Sequence, residues 1–356
     1  MRCGRQADSI RAARWFAVSV PFRPAMIALS VILPVYNDAQ ALAAFLPVLC
    51  EWLGQRPGRQ EIVVVNDGSR DAVDAACRAQ QARLPAHVAL RFIAFSRNFG
   101  KEAALSAGLA AAQGDWVAMM DADGQHPVPV LAQMLQLGEG GADMVAAIQA
   151  ERPHEGGLMR LLKRGFYRFM QDNARYEIRP SAGDFRLMRR KVVNALLALP
   201  ERQRFMKGLY AWVGFNTVYL PFAAPPRAQG RSKFNYASLM ELALVGITSF
   251  SQKPLRWISR TGLLVSLASM LYGLFIVADT LLFGRDVPGW ATVVAGIMFS
   301  AGVQLICLGV MGEYVGRIYE EVKQRPIYVI DYEWQSGGPD NAPGRAPDAP
   351  PLEPLP

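Results

Sequence analysis

The chain is 356 residues long, 51% hydrophobic and 19% charged, with a formal net charge of +8. That length accommodates about two domains. The four cysteines, Cys3, Cys50, Cys77 and Cys307, are scattered without metal-ligand spacing and suggest reduced thiols with no disulfide framework, and no pairing among His87, His126 and His154 suggests a zinc site.

Residues 1–25 are rich in arginine and precede Met26, which opens a strand directly. Their apolar part, Trp15 to Phe22, is too short and interrupted for a signal peptide. This stretch is expected to be an extension, or the product of a start assigned upstream of the true one at Met26. From there strand and helix alternate. Ile27–Leu33 reads as a buried strand ending at Pro34-Val-Tyr-Asn-Asp38, and 39–53 has helical periodicity. Glu61–Asn66 is a second strand, ending at Asp67-Gly-Ser-Arg-Asp71, and Ser69 is expected to cap the helix that follows. Val88–Ala94 is a third, ending at Phe95-Ser-Arg-Asn-Phe-Gly100; an Ala-rich helix runs from Lys101 to Gln113. Val117–Met120 and Ala142–Ile148 are the fourth and fifth strands. Repeated βα units predict an α/β fold with a mostly parallel, doubly wound sheet.

The polar residues Asn37, Asp38, Asp67, Arg97, Asn98, Asp121 and Asp123 all fall just after strand C-termini. Open α/β sheets bind ligands at that edge. Asp121 and Asp123 close the apolar run Trp116 to Met120, and an Asp-x-Asp there offers hard oxygen ligands to a divalent cation bridging a nucleotide diphosphate. Such a pair also occurs as an ordinary polar turn. His126, just beyond it, either shapes the site or is a loop residue with no ligand role. No Gly-x-Gly-x-x-Gly follows the first strand and no Walker A motif occurs, which disfavours a dehydrogenase or a P-loop enzyme.

Residues 152–191 carry 11 Lys/Arg against four Asp/Glu. They suit contact with phosphates or anionic headgroups, or a solvated helix face. Residues 236–257 read as an amphipathic, interfacial stretch, or equally as apolar residues packed under the soluble domain. Two apolar segments follow. Residues 261–283 are interrupted only by Asp279, and 290–312 are uncharged; each is long enough to span a bilayer. The linker 284–289 makes them an antiparallel hairpin. Lys253, Arg256 and Arg260 before it and Arg317, Lys323 and Arg325 after it place both ends in the cytoplasm. From residue 334 onward, seven prolines in 23 residues predict a disordered tail.

Taken in order, several stretches resemble one family: Val31-Ile-Leu-Pro-Val-Tyr-Asn-Asp38, Val63-Val-Val-Asn-Asp-Gly-Ser-Arg70, Ser96-Arg-Asn-Phe-Gly-Lys-Glu102, Asp121-Ala-Asp-Gly-Gln-His-Pro127, Gly183-Asp-Phe-Arg-Leu187, Arg204-Phe-Met-Lys-Gly208, Gly230-Arg-Ser-Lys-Phe234 and, most distinctive, Gly312 to Tyr328. Over residues 27–331 the chain resembles the family 2 glycosyltransferases of GT-A fold. Within them it is most similar to the polyprenyl-phosphate glycosyltransferases, which include dolichol-phosphate mannose synthases and bacterial undecaprenyl-phosphate glucosyltransferases.

The resemblance implies a catalytic domain at 26–235, an interfacial segment at 236–260, spans at 261–283 and 290–312, a juxtamembrane segment at 313–333 and a tail at 334–356. It implies that Tyr36 stacks on the base and Asp67 hydrogen-bonds it, with Pro34, Asn37 and Lys101 in the same nucleotide-sugar set. Asp121 and Asp123 would face the ribose and a Mg2+ or Mn2+ ion, with Gln125 a third ligand. Arg227 and Lys233 would contact phosphates, and Asp184 would lie near the reacting centre. Arg152, Arg160, Lys163 and Arg164 are candidates for gripping the acceptor phosphate. The family often has Leu at the position of Gly124, and Asp or His at that of His126.

The expected reaction moves a sugar, with inversion, from a nucleotide sugar to a polyprenyl phosphate such as undecaprenyl phosphate. The acceptor is already an anion and needs aiming cations more than a strong base. UDP is favoured over GDP through likeness to the bacterial glucosyltransferases. The expected location is the bacterial inner membrane with the catalytic domain cytoplasmic; a homo-oligomer through the hairpin is implied, and no nucleic-acid partner. Two alternatives stand beside this reading. One is a processive polysaccharide synthase, whose Gln-x-x-Arg-Trp motif Gln252-Lys-Pro-Leu-Arg-Trp257 resembles with one residue too many. The other is a non-catalytic nucleotide-sugar-binding membrane protein.

Overall fold

The computed structural model describes residues 27–149, 179, 182–202, 204–223, 253–283 and 289–336. Strand β1 (Ile27–Val35), helix α1 (Ala39–Gly54), β2 (Arg59–Asn66), α2 (Val73–Gln81), β3 (Val88–Phe95), α3 (Lys101–Ala111) and β4 (Trp116–Met119) come first. Then follow α4 (Val128–Glu139), β5 (Met144–Gln149), β6 (Ala182–Arg189), α5 (Arg190–Leu197), α6 (Met206–Trp212) and β7 (Thr217–Phe222). Two long helices, α7 (Lys253–Phe283) and α8 (Trp290–Lys323), precede a last strand, β8 (Ile330–Gln335).

The eight strands form one sheet in the order β7-β5-β6-β4-β1-β2-β3-β8. Its centre is parallel, as the repeated βα units require: β1 lies between β2 and β4, and β2 pairs with β3. Side chains of successive strand residues point to opposite faces. In β1, Val31 and Leu33 therefore enter the core under α1, α2 and α4, while Ile32 enters the opposite core under α3, α5 and α6. All three are fully buried, each contributing about 1.5–3 kcal/mol by burial. With both faces covered, the strands read as unbroken apolar runs. Helix α3 presses flat on the sheet because it is built from Ala and Gly. A Cβ on Gly108 would stand 2.3 Å from Ile32 Cγ2.

Three sequence expectations are corrected. Ser69 does not cap α2, which starts at Val73 behind Ala72; its hydroxyl instead accepts the Asn37 N–H at 2.9 Å and ties two loops together. The Ala-rich helix stops at Ala111, because Ala112 is extended and the Gln113 and Gly114 amides are taken by Glu61 and Ser30. The chain does not lose order at residue 334. Ile330–Gln335 pairs antiparallel with β3, and Trp334 is buried against Phe92 with ring centroids 5.3 Å apart. Trp334 Nε1–H also donates to Asp74 Oδ1 at 2.8 Å. That burial and hydrogen bond hold Ile330–Gln335 on the sheet, and the rest of the tail expected to be disordered, 337–356, lies outside the described residues.

Helices α7 and α8 contain segments long and apolar enough to cross a membrane, Trp257–Ile276 and Thr292–Lys323, with mean hydropathy 1.4 and 2.2. Neither segment is buried in the chain. Leu264, Phe275, Phe299 and Leu305 stand exposed, an apolar surface of the kind that marks membrane or partner contact. Helix α8 ends at Lys323 and is capped by Gln324, whose φ of 52° is left-handed, just before Pro326. The chain then returns to the sheet: Ser96 N–H donates to Val329 O at 3.0 Å, and Tyr328 stacks on Phe95 at 4.9 Å between centroids. Beside it, the Arg202 N–H donates to Glu321 Oε1 at 3.0 Å.

Candidate active site

The loops after β1, β2, β3 and β4 meet at one edge, because parallel strands deliver their C-termini together. Their backbones are stitched crosswise. Asn37, at a left-handed φ of 50°, accepts the Arg70 N–H on its Oδ1 at 2.8 Å. Asp71 Oδ2 accepts the Ala39 N–H at 2.8 Å and so holds the first turn of α1. Gly68 crosses under the next loop so closely that a Cβ would lie 2.3 Å from the Arg97 carbonyl carbon; its φ of +64° also suits glycine.

Asp67 is buried, 3% exposed, and both oxygens hold the loop after β3: Oδ1 accepts the Phe99 N–H at 2.7 Å and Oδ2 the Gly100 N–H at 3.0 Å. Burial raises its pKa, opposed by these two amides and by Arg97. Asn37 and Asp67 thus tie together the loops at this edge. Pro34, Tyr36, Asp121 and Asp123 line one cavity of about 150 Å³, together with Val35, Asp38 and Ala122. Tyr36 is 47% exposed, an aromatic ring open to a planar partner.

The Asp-x-Asp turn is itself pinned. Asp123 Oδ1 accepts the Gln125 N–H at 3.0 Å. His126 Nδ1 accepts the Asp121 N–H at 2.8 Å, which fixes the ring proton on Nε2. The imidazole stacks on Phe185 with centroids 4.5 Å apart, and burial lowers its pKa. His126 therefore shapes the turn.

Behind the turn, β6 brings Asp184 across from α3. Lys101 Nζ lies 2.6 Å from Asp121 Oδ1 and 3.2 Å from Asp184 Oδ2. Asp184 Oδ1 is buried without a hydrogen-bond partner among the described residues. Glu102, next along α3, accepts the Met206 N–H at 3.3 Å and so joins α3 to α6. Burial, then the neighbouring Asp184 charge, pushes its carboxyl from 4.5 up to about 8. On the same face Arg186 lies over the Tyr210 ring at 4.2 Å, both buried.

The structure thus brings together Pro34, Tyr36, Lys101, Asp121, Asp123 and Asp184. Gln125 sits on the turn through its backbone contact with Asp123. Arg152, Arg160, Lys163, Arg164, Arg227 and Lys233 lie outside the described residues. Sequence reasoning passed over Glu102, Arg186 and Tyr210. The signal for Glu102 was present, an acid directly after Lys101 in a loop motif, but its burial depends on α6, which no local pattern announces.

Among the described residues no group of three or more His, Cys, Asp or Glu side chains could hold a metal by itself. Two carboxylates on one pinned turn, facing a cavity large enough for phosphate oxygens, nonetheless fit a hard divalent cation. Mg2+ in particular is commonly held by one or two carboxylates and completes its shell with substrate phosphates and water.

A doubly wound sheet with an Asp-x-Asp turn at its ligand edge and no phosphate-binding glycine loop defines a class, the nucleotide-sugar transferases of GT-A type. The chain belongs to glycosyl transferase family 2, which matches residues 30–197, and residues 253–318 match the GtrB C-terminal hairpin. It is 44% identical over 302 residues to the SfII prophage-derived bactoprenol glucosyl transferase of Shigella flexneri, covering 85% of this chain and 97% of that protein. It is 42% identical over 313 residues to an uncharacterized glycosyltransferase of Synechocystis sp., covering 86% and 96% respectively. Among solved structures it is loosely similar to a mannosyltransferase from Pyrobaculum calidifontis in complex with GDP-Man and Mn2+, at 17% identity and a TM-score of 0.45, covering 85% of this chain and 92% of that one.

Proposed function

We propose that the chain transfers a hexose, with inversion, from a UDP-sugar to a polyprenyl phosphate at the cytoplasmic face of a bacterial inner membrane. The observation that carries this is the joining of a sugar-nucleotide crevice to an apolar helix pair, in a chain aligned along 97% of a bactoprenol glucosyl transferase. A hairpin that holds the crevice against the bilayer suits an acceptor whose phosphate sits at the lipid surface.

In this reading Tyr36 stacks on the base, beside loops held by Asn37 and Asp67, and Pro34 walls the cavity. Asp121 and Asp123, with Gln125 beside them, hold Mg2+ or Mn2+, which when bound neutralises charge growing on the leaving diphosphate. Lys101 adds a cation to the same phosphates. Arg227 and Lys233 are assigned there too, and Arg152, Arg160, Lys163 and Arg164 to the acceptor phosphate, where planar Arg gives bidentate contacts. Asp184 orients the acceptor or the sugar. An acceptor that is already an anion attacks the anomeric carbon without surrendering a proton, so no general base is required.

The test is a donor screen. Purified protein in detergent, with Mn2+ or Mg2+ and undecaprenyl phosphate, is offered a panel of UDP- and GDP-sugars, and the lipid products are read by mass spectrometry. One hexose on the lipid phosphate, lost with EDTA, is the expected result. Nucleotide binding without any lipid product refutes the acceptor assignment.

A further inference from the structure

A phosphate contact alone does not explain why Lys101 bridges two carboxylates. Lys101 is the first residue of α3, at the positive end of a helix dipole, where a cation is disfavoured. A local rule broken at a site calls for a compensating gain. Here the gain is a bridge: the ammonium closes on Asp121 at 2.6 Å and Asp184 at 3.2 Å, joining a carboxylate of the metal turn to one on a different strand. With Asp184 Oδ1 buried and lacking a hydrogen-bond partner among the described residues, Lys101 supplies a cation to that side chain's other oxygen.

A divalent ion on Asp121 would have to share that carboxylate with the ammonium, and two cations on one carboxylate repel. Lysine is suited to giving way, being a compact charge on a flexible four-carbon stem. The carboxylate pair alone is also a short ligand set for a metal, so the ion is held well only with the donor's phosphates. We propose that Lys101 is a resident counter-cation of this cluster: it holds Asp121 and Asp184 together while the site is without metal, opposes binding of the bare ion, and turns to the donor diphosphate when metal and nucleotide arrive together. This rests on the metal reading above. It goes beyond it by making Lys101 a competitor of the free metal and an ally of the metal–nucleotide pair.

The test is Mn2+ binding by electron paramagnetic resonance on the full chain in detergent, with Mn2+ alone and with Mn2+ plus UDP. Lys101→Met is expected to bind Mn2+ alone about tenfold more tightly than wild type and to bind UDP less tightly at saturating Mn2+. Lys101→Arg, which keeps the charge, is expected not to tighten the bare ion. A Lys101→Met protein that binds Mn2+ alone no better than wild type overturns the proposal, while Mn2+ binding in the presence of UDP leaves the metal reading standing. Absence of Mn2+ binding in every protein, with or without UDP, removes the metal reading and this inference with it. A second measurement needs no variant. In wild type, Mn2+ alone should speed acylation of the Lys101 amine, read by peptide mass spectrometry, because the ion frees it from its bridge. Unchanged or slower acylation at saturating Mn2+ counts against the proposal.

Discussion

Replacing Asp67 by Asn separates holding the crevice together from touching the nucleotide. The carboxylate is 3% exposed and each oxygen accepts a backbone N–H, at 2.7 and 3.0 Å. An amide of the same shape has one acceptor and one donor. Whichever way the substituted side chain turns, its NH2 faces an N–H of Phe99 or Gly100, so one bond is lost, a donor is left unsatisfied, and the surviving bond loses its charge. Hydrogen bonds to charged groups contribute about 1.5–3 kcal/mol, and an unsatisfied buried donor costs about 1–3 kcal/mol. Against this, the variant no longer buries a charge, and burial is the largest influence on the Asp67 pKa. The net loss is about 2–3 kcal/mol. For a domain of roughly 200 residues that lowers the melting temperature by about 4–12 °C. The assay is thermal unfolding in detergent followed by tryptophan fluorescence, paired with UDP titration calorimetry. The loop that Asp67 holds leads directly into Lys101, so UDP affinity should fall as well. Weaker UDP binding with an unchanged melting temperature would refute this reasoning and assign Asp67 to the base alone.

Asp123→Asn should reduce turnover by on the order of 100-fold by removing a charge-stabilising carboxylate; near wild-type turnover in Mn2+ buffer would contradict its assignment to the metal. Glu102→Gln should alter how stability depends on pH. The folded carboxyl titrates near 8, above its ordinary 4.5, so the folded chain retains a proton that the unfolded chain releases. Stability from this group is complete below 4.5 and is lost as the pH climbs through about 8. A neutral Gln that still accepts the Met206 N–H removes that loss, so the variant should match wild type near pH 4.5 and exceed it near pH 8. Parallel melting curves across that range would disprove the shift. Trp334→Ala should cost about 3–5 kcal/mol, as expected for a buried aromatic, and speed hydrogen exchange along β3; protection of β3 as in wild type would mean that β8 does not hold the edge.

The strands legible in the sequence were those buried on both faces, where Ile62 to Val65 leave no other reading. The Asp-x-Asp turn was legible because an apolar run delivers it to the ligand edge. What sequence could not supply was the direction of side chains within loops. Ser69 looks like a helix cap by type and spacing, yet spends its hydroxyl on Asn37 across the crevice. Lys101 is placed at the nucleotide sugar by resemblance, but its bridge to Asp121 and Asp184 shows only once β6 brings Asp184 beside it. Strand β8 escaped because its alternation is short and runs into a proline-rich tail, while its partner is remote in the chain.

That remoteness bears on biogenesis. Arg91 on β3 and Glu333 on β8 form an ion pair at 2.8 Å across 242 residues of sequence. As the chain leaves the ribosome, the outer edge of β3 stays unpaired through the emergence of every other element, both apolar helices included. Only a second helix that runs back along the first can deliver Ile330 to that edge. Completion of the sheet therefore serves as a receipt for correct hairpin topology. A chain whose second helix fails to return beside the first keeps an open strand edge on β3 and leaves Phe92 without its Trp334 partner.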